Sequence, residues 1–90
     1  MGKAELKVPG GKLIRADIFV KDGRIGRVVI TGDFFLHPED LLEQLEEKLL
    51  GSDKEKIDKI VGEFFIETRA VLVGVDVKDF ADVVLAAWED

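Results

Sequence analysis

A short glycine-rich stretch near the start of the chain, Pro9-Gly10-Gly11-Lys12, holds the first residues that could do chemistry. Glycines let backbone N–H groups approach an anion closely and a lysine adds positive charge, so the composition suits a phosphate-binding loop. The stretch lacks the spacing of a P-loop, and it joins two predicted strands instead of opening a helix. Two interpretations stay open: a turn with a surface lysine, or a loop that approaches a ligand.

The remaining polar candidates do not assemble into an active site. Asp33 has the chemistry of a metal ligand or a catalytic acid, but the carboxylates nearest in sequence, Glu39 and Asp40, fit a helix N-terminus, so a structural role is favoured. His37, the single histidine, precedes Pro38, and entry into a helix accounts for it. No companion base is apparent for the hydroxyl side chains of Thr31, Ser52 and Thr68. We therefore predict no catalytic residue, no metal site and no cofactor bound by the chain alone.

Composition limits the class of protein. Ninety residues, of which 47% are apolar and 36% charged, indicate one globular domain, residues 1–90, with a modest core. The net charge of −6 disfavours nucleic-acid binding, which needs a basic surface. The absence of cysteine excludes disulfides and thiolate metal sites. No apolar run approaches the roughly 18 residues of a membrane span and no signal core follows Met1, so we expect a cytoplasmic protein that binds no membrane.

Three strands and about three helices must position these residues. Alternating apolar residues predict strands at residues 5–8 and 13–20, and a third strand follows a turn. Helical spacing then predicts a helix over residues 38–50, a second helix opened by a capping box at residues 52–55, and a third capped by Asp76. Together they predict an α+β fold, a three-stranded antiparallel sheet with helices packed on one face.

Two parts of this pattern allow more than one structure. A two-residue turn after the second strand places Arg27 opposite Ile18, on the apolar face. A three-residue turn, with Gly23 in the left-handed conformation beside a bulge, pairs Asp17 with Arg27 and separates the two faces better, so we predict it. The apolar residues 70–73 fit either a short strand or a buried connector.

The outer face of the predicted sheet is more apolar than open water requires, which indicates a covering partner. The junction between the third strand and the first helix adds two adjacent phenylalanines. We expect one of these rings to enter the core and the other to shape the junction or a partner surface. The candidate interface residues are Phe19, Ile25, Val29, Asp33, Phe34 and Phe35.

The order of three motifs resembles a known family. Residues 9–13 read Pro-Gly-Gly-Lys-Leu, residues 22–23 read Asp-Gly, and residues 32–35 read Gly-Asp-Phe-Phe. In this order and spacing they resemble the C-terminal accessory domain of lipoate–protein ligases, over about residues 7–88. In some archaea that domain is a separate small protein beside a catalytic subunit.

The resemblance implies a function that the residues alone do not supply. Enzymes of this family activate lipoate with ATP to lipoyl-AMP and pass the lipoyl group to a lysine of a carrier domain. The chain would then be the accessory subunit of a heterodimeric ligase that uses ATP, Mg²⁺ and lipoate. The resemblance also implies that Gly10, Gly11 and Lys12 lie near the nucleotide. The alternative is a non-catalytic interaction adaptor with a scaffold-like α+β architecture.

Overall fold

A computed structural model describes residues 2–88, so residues 1, 89 and 90 of the predicted domain lie outside the described part. The elements in chain order are β1 (Gly2–Lys7), β2 (Leu13–Lys21), β3 (Arg24–Gly32), β4 (Phe35–His37), α1 (Leu41–Leu49), a 3₁₀ turn (Lys54–Lys56), α2 (Ile57–Glu67), β5 (Val71–Val73) and α3 (Val77–Ala87). The first three strands form an antiparallel sheet in the order β1-β2-β3, and β4 pairs with β5 in a second, two-stranded antiparallel sheet.

The core lies between the three-stranded sheet and the helices. The alternation of β2 buries Ile14, Ala16 and Ile18 on the side where α3 crosses β1 and β2 and where α1 lies against β3. Helix α2 packs on α3 and α1, and Phe80 of α3 is completely buried. The predicted α+β fold with its three-stranded antiparallel sheet is confirmed. Within residues 2–88, no helix is both long and apolar enough to cross a membrane.

The turn between β2 and β3 has two residues, so the predicted three-residue turn is wrong. Asp22 and Gly23 have φ of 54° and 74°, the left-handed conformation that both central residues of a type I′ turn require. The prediction of positive φ at Gly23 is therefore confirmed, although for a different turn. The predicted pair of Asp17 with Arg27 is also wrong, because Asp17 lies opposite Val29.

A β-bulge at Gly26 decides which residues of β3 face the core. The pairing with β2 shifts after Phe19, which leaves Gly26 as an extra residue. Because a shift of one residue exchanges the faces of a strand, Ile25 before the bulge and Val28 after it both point inward. The prediction that Ile25 lies on the outer face is wrong, since its side chain is 2% exposed. Ile25 is thus unavailable to a partner.

The first helix begins later than predicted, at Leu41 and not at Pro38. The chain through His37 still belongs to β4, where His37 lies opposite Val71, so the next residues turn before the helix starts. The His37–Pro38 peptide bond is cis. The sequence predicts either a short strand or a buried connector for residues 70–73. They contain a strand, because β5 pairs with β4.

Helix capping is predicted correctly for α3 and wrongly for α2. Asp76 and Asp79 form a capping box, in which the Asp76 N–H donates to Oδ2 of Asp79 at 2.7 Å. Ser52 does not open α2. It is buried, and its hydroxyl donates to the Leu49 carbonyl at 2.7 Å, so it closes α1. Its own carbonyl accepts the Ile25 N–H at 2.9 Å, which fastens the end of α1 to the edge of β3.

Candidate functional site

The glycine-rich stretch forms the tight loop between β1 and β2. The Gly11 N–H donates to the Val8 carbonyl at 2.8 Å, and the Val8 N–H donates to the Lys12 carbonyl at 3.0 Å. The Lys12 N–H donates to the carbonyl of Gly74, just after β5, at 3.1 Å. The amides of Gly11 and Lys12 are therefore occupied within the protein. Neither amide is free to bind a phosphate, and the Lys12 ammonium is the positive charge that this loop offers an anion.

Asp33 joins the end of β3 to the start of β2 through two hydrogen bonds with Leu13. Its carboxylate Oδ1 accepts the Leu13 N–H at 2.6 Å, and its own N–H donates to the Leu13 carbonyl at 3.2 Å. Gly32 lies so close to the Leu13 carbonyl and the Phe34 ring that a Cβ atom would overlap both. The structural role favoured for Asp33 is thus observed as a specific contact. Through it, Asp33 holds Leu13, the residue that directly follows Lys12.

Gly74 completes the contact from the other side. It has φ of 101°, a conformation that favours glycine. The aliphatic part of the Lys12 side chain occupies the space that a Cβ atom on residue 74 would fill. A Cβ atom on Gly11 would stand 2.6 Å from the Gly74 carbonyl oxygen. Three segments distant in sequence, at residues 10–13, 32–34 and 74, therefore meet at one end of the sheet. We call this contact the three-loop junction.

The charge of the three-loop junction is available to a ligand. Lys12 is exposed, and within residues 2–88 its ammonium forms no ion pair. The same residues contain no cluster of three or more acidic or histidine side chains arranged to hold a metal ion. The three-loop junction therefore offers a ligand one lysine ammonium without an ion pair in the described part of the chain, while the Asp33 carboxylate beside it accepts the Leu13 N–H.

The outer face of the three-stranded sheet mixes apolar side chains with ion pairs. Phe19 is 42% exposed and Val29 is half-buried. Beside them, the Lys3 ammonium lies 3.8 Å from the Asp17 carboxylate. These side chains, together with Arg27, border a shallow depression of about 320 Å³. The expectation of apolar residues on this face holds for Phe19 and Val29, but not for Ile25.

The two adjacent phenylalanines divide as expected. The Phe34 ring meets the buried Phe80 ring edge to face, with centroids 5.2 Å apart. Phe35 points the other way and is 54% exposed. It lies directly opposite Val73 across the two-stranded sheet, and Val71 stands beside it on the same exposed face. We call Phe35, His37, Val71 and Val73 the small-sheet face.

Sequence reasoning missed Gly74, Val71 and Val73. The stretch 70–73 is apolar throughout, so alternation within it does not reveal which side chains are exposed. The one available signal was Gly74 itself, a lone glycine at the end of a candidate strand, which is typical of close backbone approach. That signal does not identify Lys12 as the residue that approaches it.

Fold and site together define a class: a small α+β domain that presents a lysine-bearing loop and exposed apolar surfaces. Residues 3–84 match the family described as bacterial lipoate protein ligase C-terminus. The chain is 40% identical over 68 residues to lipoate-protein ligase A subunit 2 of Thermoplasma acidophilum, covering 76% of this chain and 71% of that protein. The chain therefore belongs to the lipoate–protein ligase C-terminal family, as its motifs predict.

A solved structure extends this likeness to the fold. It comes from a study of a bi-partite lipoate protein ligase and its E2 lipoyl domain from Thermoplasma acidophilum. The match has a TM-score of 0.78 and 34% sequence identity, and it covers 92% of this chain and 90% of the matched chain. The likeness of fold therefore extends over nearly the whole chain.

Proposed function

We propose that this chain is the accessory subunit of a two-part lipoate–protein ligase. It acts with a catalytic subunit in the ATP-dependent activation of lipoate to lipoyl-AMP, before transfer to a lysine of a carrier domain. The observation that carries the proposal is the likeness over 92% of the chain to a structure from a bi-partite ligase system. The 40% identical relative, itself called subunit 2 of such a ligase, supports the same assignment.

Activation has physical requirements that a second subunit can meet. The lipoate carboxylate attacks the α-phosphorus of ATP, which forms lipoyl-AMP and releases pyrophosphate. The reaction needs ATP held still and shielded from water, and it gains from positive charge near the leaving phosphates. In our proposal the accessory subunit closes over the nucleotide and brings the loop of Gly10, Gly11 and Lys12 near it. ATP, its Mg²⁺ and lipoate are bound in the complex, and this chain supplies no metal cluster of its own among residues 2–88.

Two surfaces are proposed to contact the catalytic subunit. The first is the outer sheet face around Phe19 and Val29. The second is the segment that follows β3 and contains Asp33, Phe34 and Phe35. The support is that Phe19 and Phe35 stay exposed after the core is filled. Exposed apolar groups of this kind are typical of protein interfaces.

The experiment that tests the proposal measures lipoylation of a carrier domain as a mass increase. The catalytic subunit, ATP and lipoate are mixed with and without this chain. We expect ATP-dependent lipoylation only with the chain, and much smaller dependence on it when synthetic lipoyl-AMP replaces ATP and lipoate. Equal lipoylation with and without the chain would contradict the proposal and favour the alternative, a non-catalytic interaction adaptor.

We propose that the protein acts in the cytoplasm, because the reaction consumes ATP.

A further inference from the structure

We propose that Asp33 and Gly74 are positioning residues, which hold Lys12 so that its ammonium is presented at one place to the nucleotide. The inference rests on the proposed function, in which Lys12 supplies charge during activation. Neither residue touches the nucleotide in this proposal. Both act through Lys12, one on its backbone and one on its side chain.

Asp33 fixes the backbone. Leu13 directly follows Lys12, and both polar groups of its backbone are bonded to Asp33, N–H to Oδ1 at 2.6 Å and carbonyl to N–H at 3.2 Å. Lys12 itself donates its N–H to Gly74 at 3.1 Å. Hydrogen bonds on two successive residues define the direction in which the Lys12 Cα–Cβ bond leaves the loop.

Gly74 fixes the side chain. The Lys12 Cβ and Cγ atoms pass so close to Gly74 that any Cβ atom there would overlap the stem. A lysine on an open surface samples many rotamers, and holding it in one costs conformational entropy. A stem that rests on the backbone has fewer rotamers to lose, so its charge is delivered to a bound anion at a smaller entropic cost.

The exposure of these groups favours a functional over a purely structural purpose. Asp33 and Lys12 are both exposed, and the Asp33–Leu13 hydrogen bond lies at the surface. A solvent-exposed hydrogen bond contributes little to folding, since water replaces it when it is broken. The three segments meet at the three-loop junction and leave the Lys12 side chain exposed. In our proposal their contact sets the direction in which the Lys12 ammonium points.

The test is a double-mutant cycle in the complex with the catalytic subunit, with pyrophosphate release as the readout. We expect Lys12→Met, which keeps the stem and removes the charge, to lower kcat/KM for ATP roughly tenfold. Asp33→Ala should lower it by a similar factor, and Asp33→Asn, whose amide oxygen still accepts the Leu13 N–H, should recover most of the loss caused by Asp33→Ala. In the Lys12→Met background, Asp33→Ala should cause no further loss.

Controls separate positioning from general damage. Lys7→Met removes another exposed lysine, at the end of β1, and should change nothing. KM for lipoate and the melting temperature of the complex should be unchanged by Asp33→Ala, whereas a destabilised subunit would lower the melting temperature. Gly74→Ala should reproduce the selective loss for ATP.

Two results would overturn the inference while leaving the proposed function intact. One is an equal loss from Asp33→Ala in the wild-type and Lys12→Met backgrounds, which would mean that Asp33 acts independently of Lys12. The other is a Lys12→Met complex with wild-type kcat/KM for ATP. If the wild-type chain itself fails to raise pyrophosphate release, the proposed function fails, and this inference falls with it.

Discussion

At the residue scale, Gly32 and Gly62 lack a side chain for different reasons. Gly32 lies against the Leu13 carbonyl and the Phe34 ring, whereas a Cβ atom on Gly62, inside α2, would meet nothing within 4 Å. We expect Gly32→Ala to destabilise the domain by at least about 1 kcal/mol, because backbone must shift. Gly62→Ala should stabilise it by roughly 0.5–1 kcal/mol through the lower entropy of the unfolded chain.

The measurement for this pair is the melting temperature of the co-purified complex with the catalytic subunit. The two variants add the same methyl group, so each serves as the control for the other. We expect the melting temperature to fall for Gly32→Ala and to rise or stay level for Gly62→Ala. A Gly32→Ala complex as stable as wild type would show that Gly32 is not in close contact with the Leu13 carbonyl and the Phe34 ring.

Sequence reasoning at this scale identifies residues better than it identifies contacts. The Asp76 cap is predictable because capping is local, with both partners within four residues. Ser52 belongs to a similar local pattern, yet its hydroxyl turns back to the preceding helix because the end of α1 is buried against β3. The contact among Lys12, Asp33 and Gly74 joins residues far apart in the chain, and no local pattern encodes it.

At the scale of elements, the bulge at Gly26 keeps Ile25 and Val28 on the same side of β3, facing the core. Deleting Gly26 would restore strict alternation and turn either Ile25 or Val28 toward water. We therefore expect the deletion to prevent recovery of a folded complex. Gly26→Ala should be tolerated, because the new Cβ atom would meet mainly the Phe19 ring, at 3.3 Å, and that ring lies on the surface.

Co-expression with the catalytic subunit and size-exclusion chromatography provide the readout for these two variants. A normal yield of complex from the deletion variant would mean that β3 tolerates either register. In that case the bulge could not be the reason that Ile25 is buried.

The exposed faces of the two sheets give a prediction about assembly. Phe19→Lys on the outer face and Phe35→Lys on the small-sheet face each place a charge where we propose contact with the catalytic subunit. A buried aromatic anchor typically contributes 2 kcal/mol or more to binding, so we expect the dissociation constant to rise tenfold or more for at least one of them. Isothermal titration calorimetry or surface plasmon resonance measures the change.

Ile66→Lys is the matched control for these substitutions. Ile66 is the most exposed large apolar residue in the described part of the chain, at 83%, but it lies near the end of α2, outside both proposed surfaces. Its substitution should leave the dissociation constant unchanged. If Phe19→Lys and Phe35→Lys both bind as tightly as wild type, the interface lies elsewhere on the subunit.

Alternation correctly indicates three strands and the face that carries the helices, because burial imposes a period of two on each strand. It does not give the register, since a single extra glycine in β3 changes the pairing without changing the composition. It also misses the two-stranded sheet. Strands of three residues are too short for a period to be recognised.

At the scale of the whole molecule, physical reasoning from the residues reaches the fold class but stops short of the activity. The predicted features describe a domain that contacts a partner, and nothing in composition or spacing specifies lipoate. The order of the Pro-Gly-Gly-Lys-Leu, Asp-Gly and Gly-Asp-Phe-Phe motifs indicates the family, and the family match over residues 3–84 confirms it. The structure adds that the first and last of these motifs form a single contact.

We propose that the catalytic subunit requires this chain to form lipoyl-AMP. The most direct measurement is the initial rate of pyrophosphate release from ATP and lipoate by the catalytic subunit, titrated with this chain and without a carrier domain. We predict that the rate rises and saturates near one chain per catalytic subunit, and that it stays at background for either protein alone. A catalytic subunit that releases pyrophosphate at the same rate with and without this chain would contradict the account.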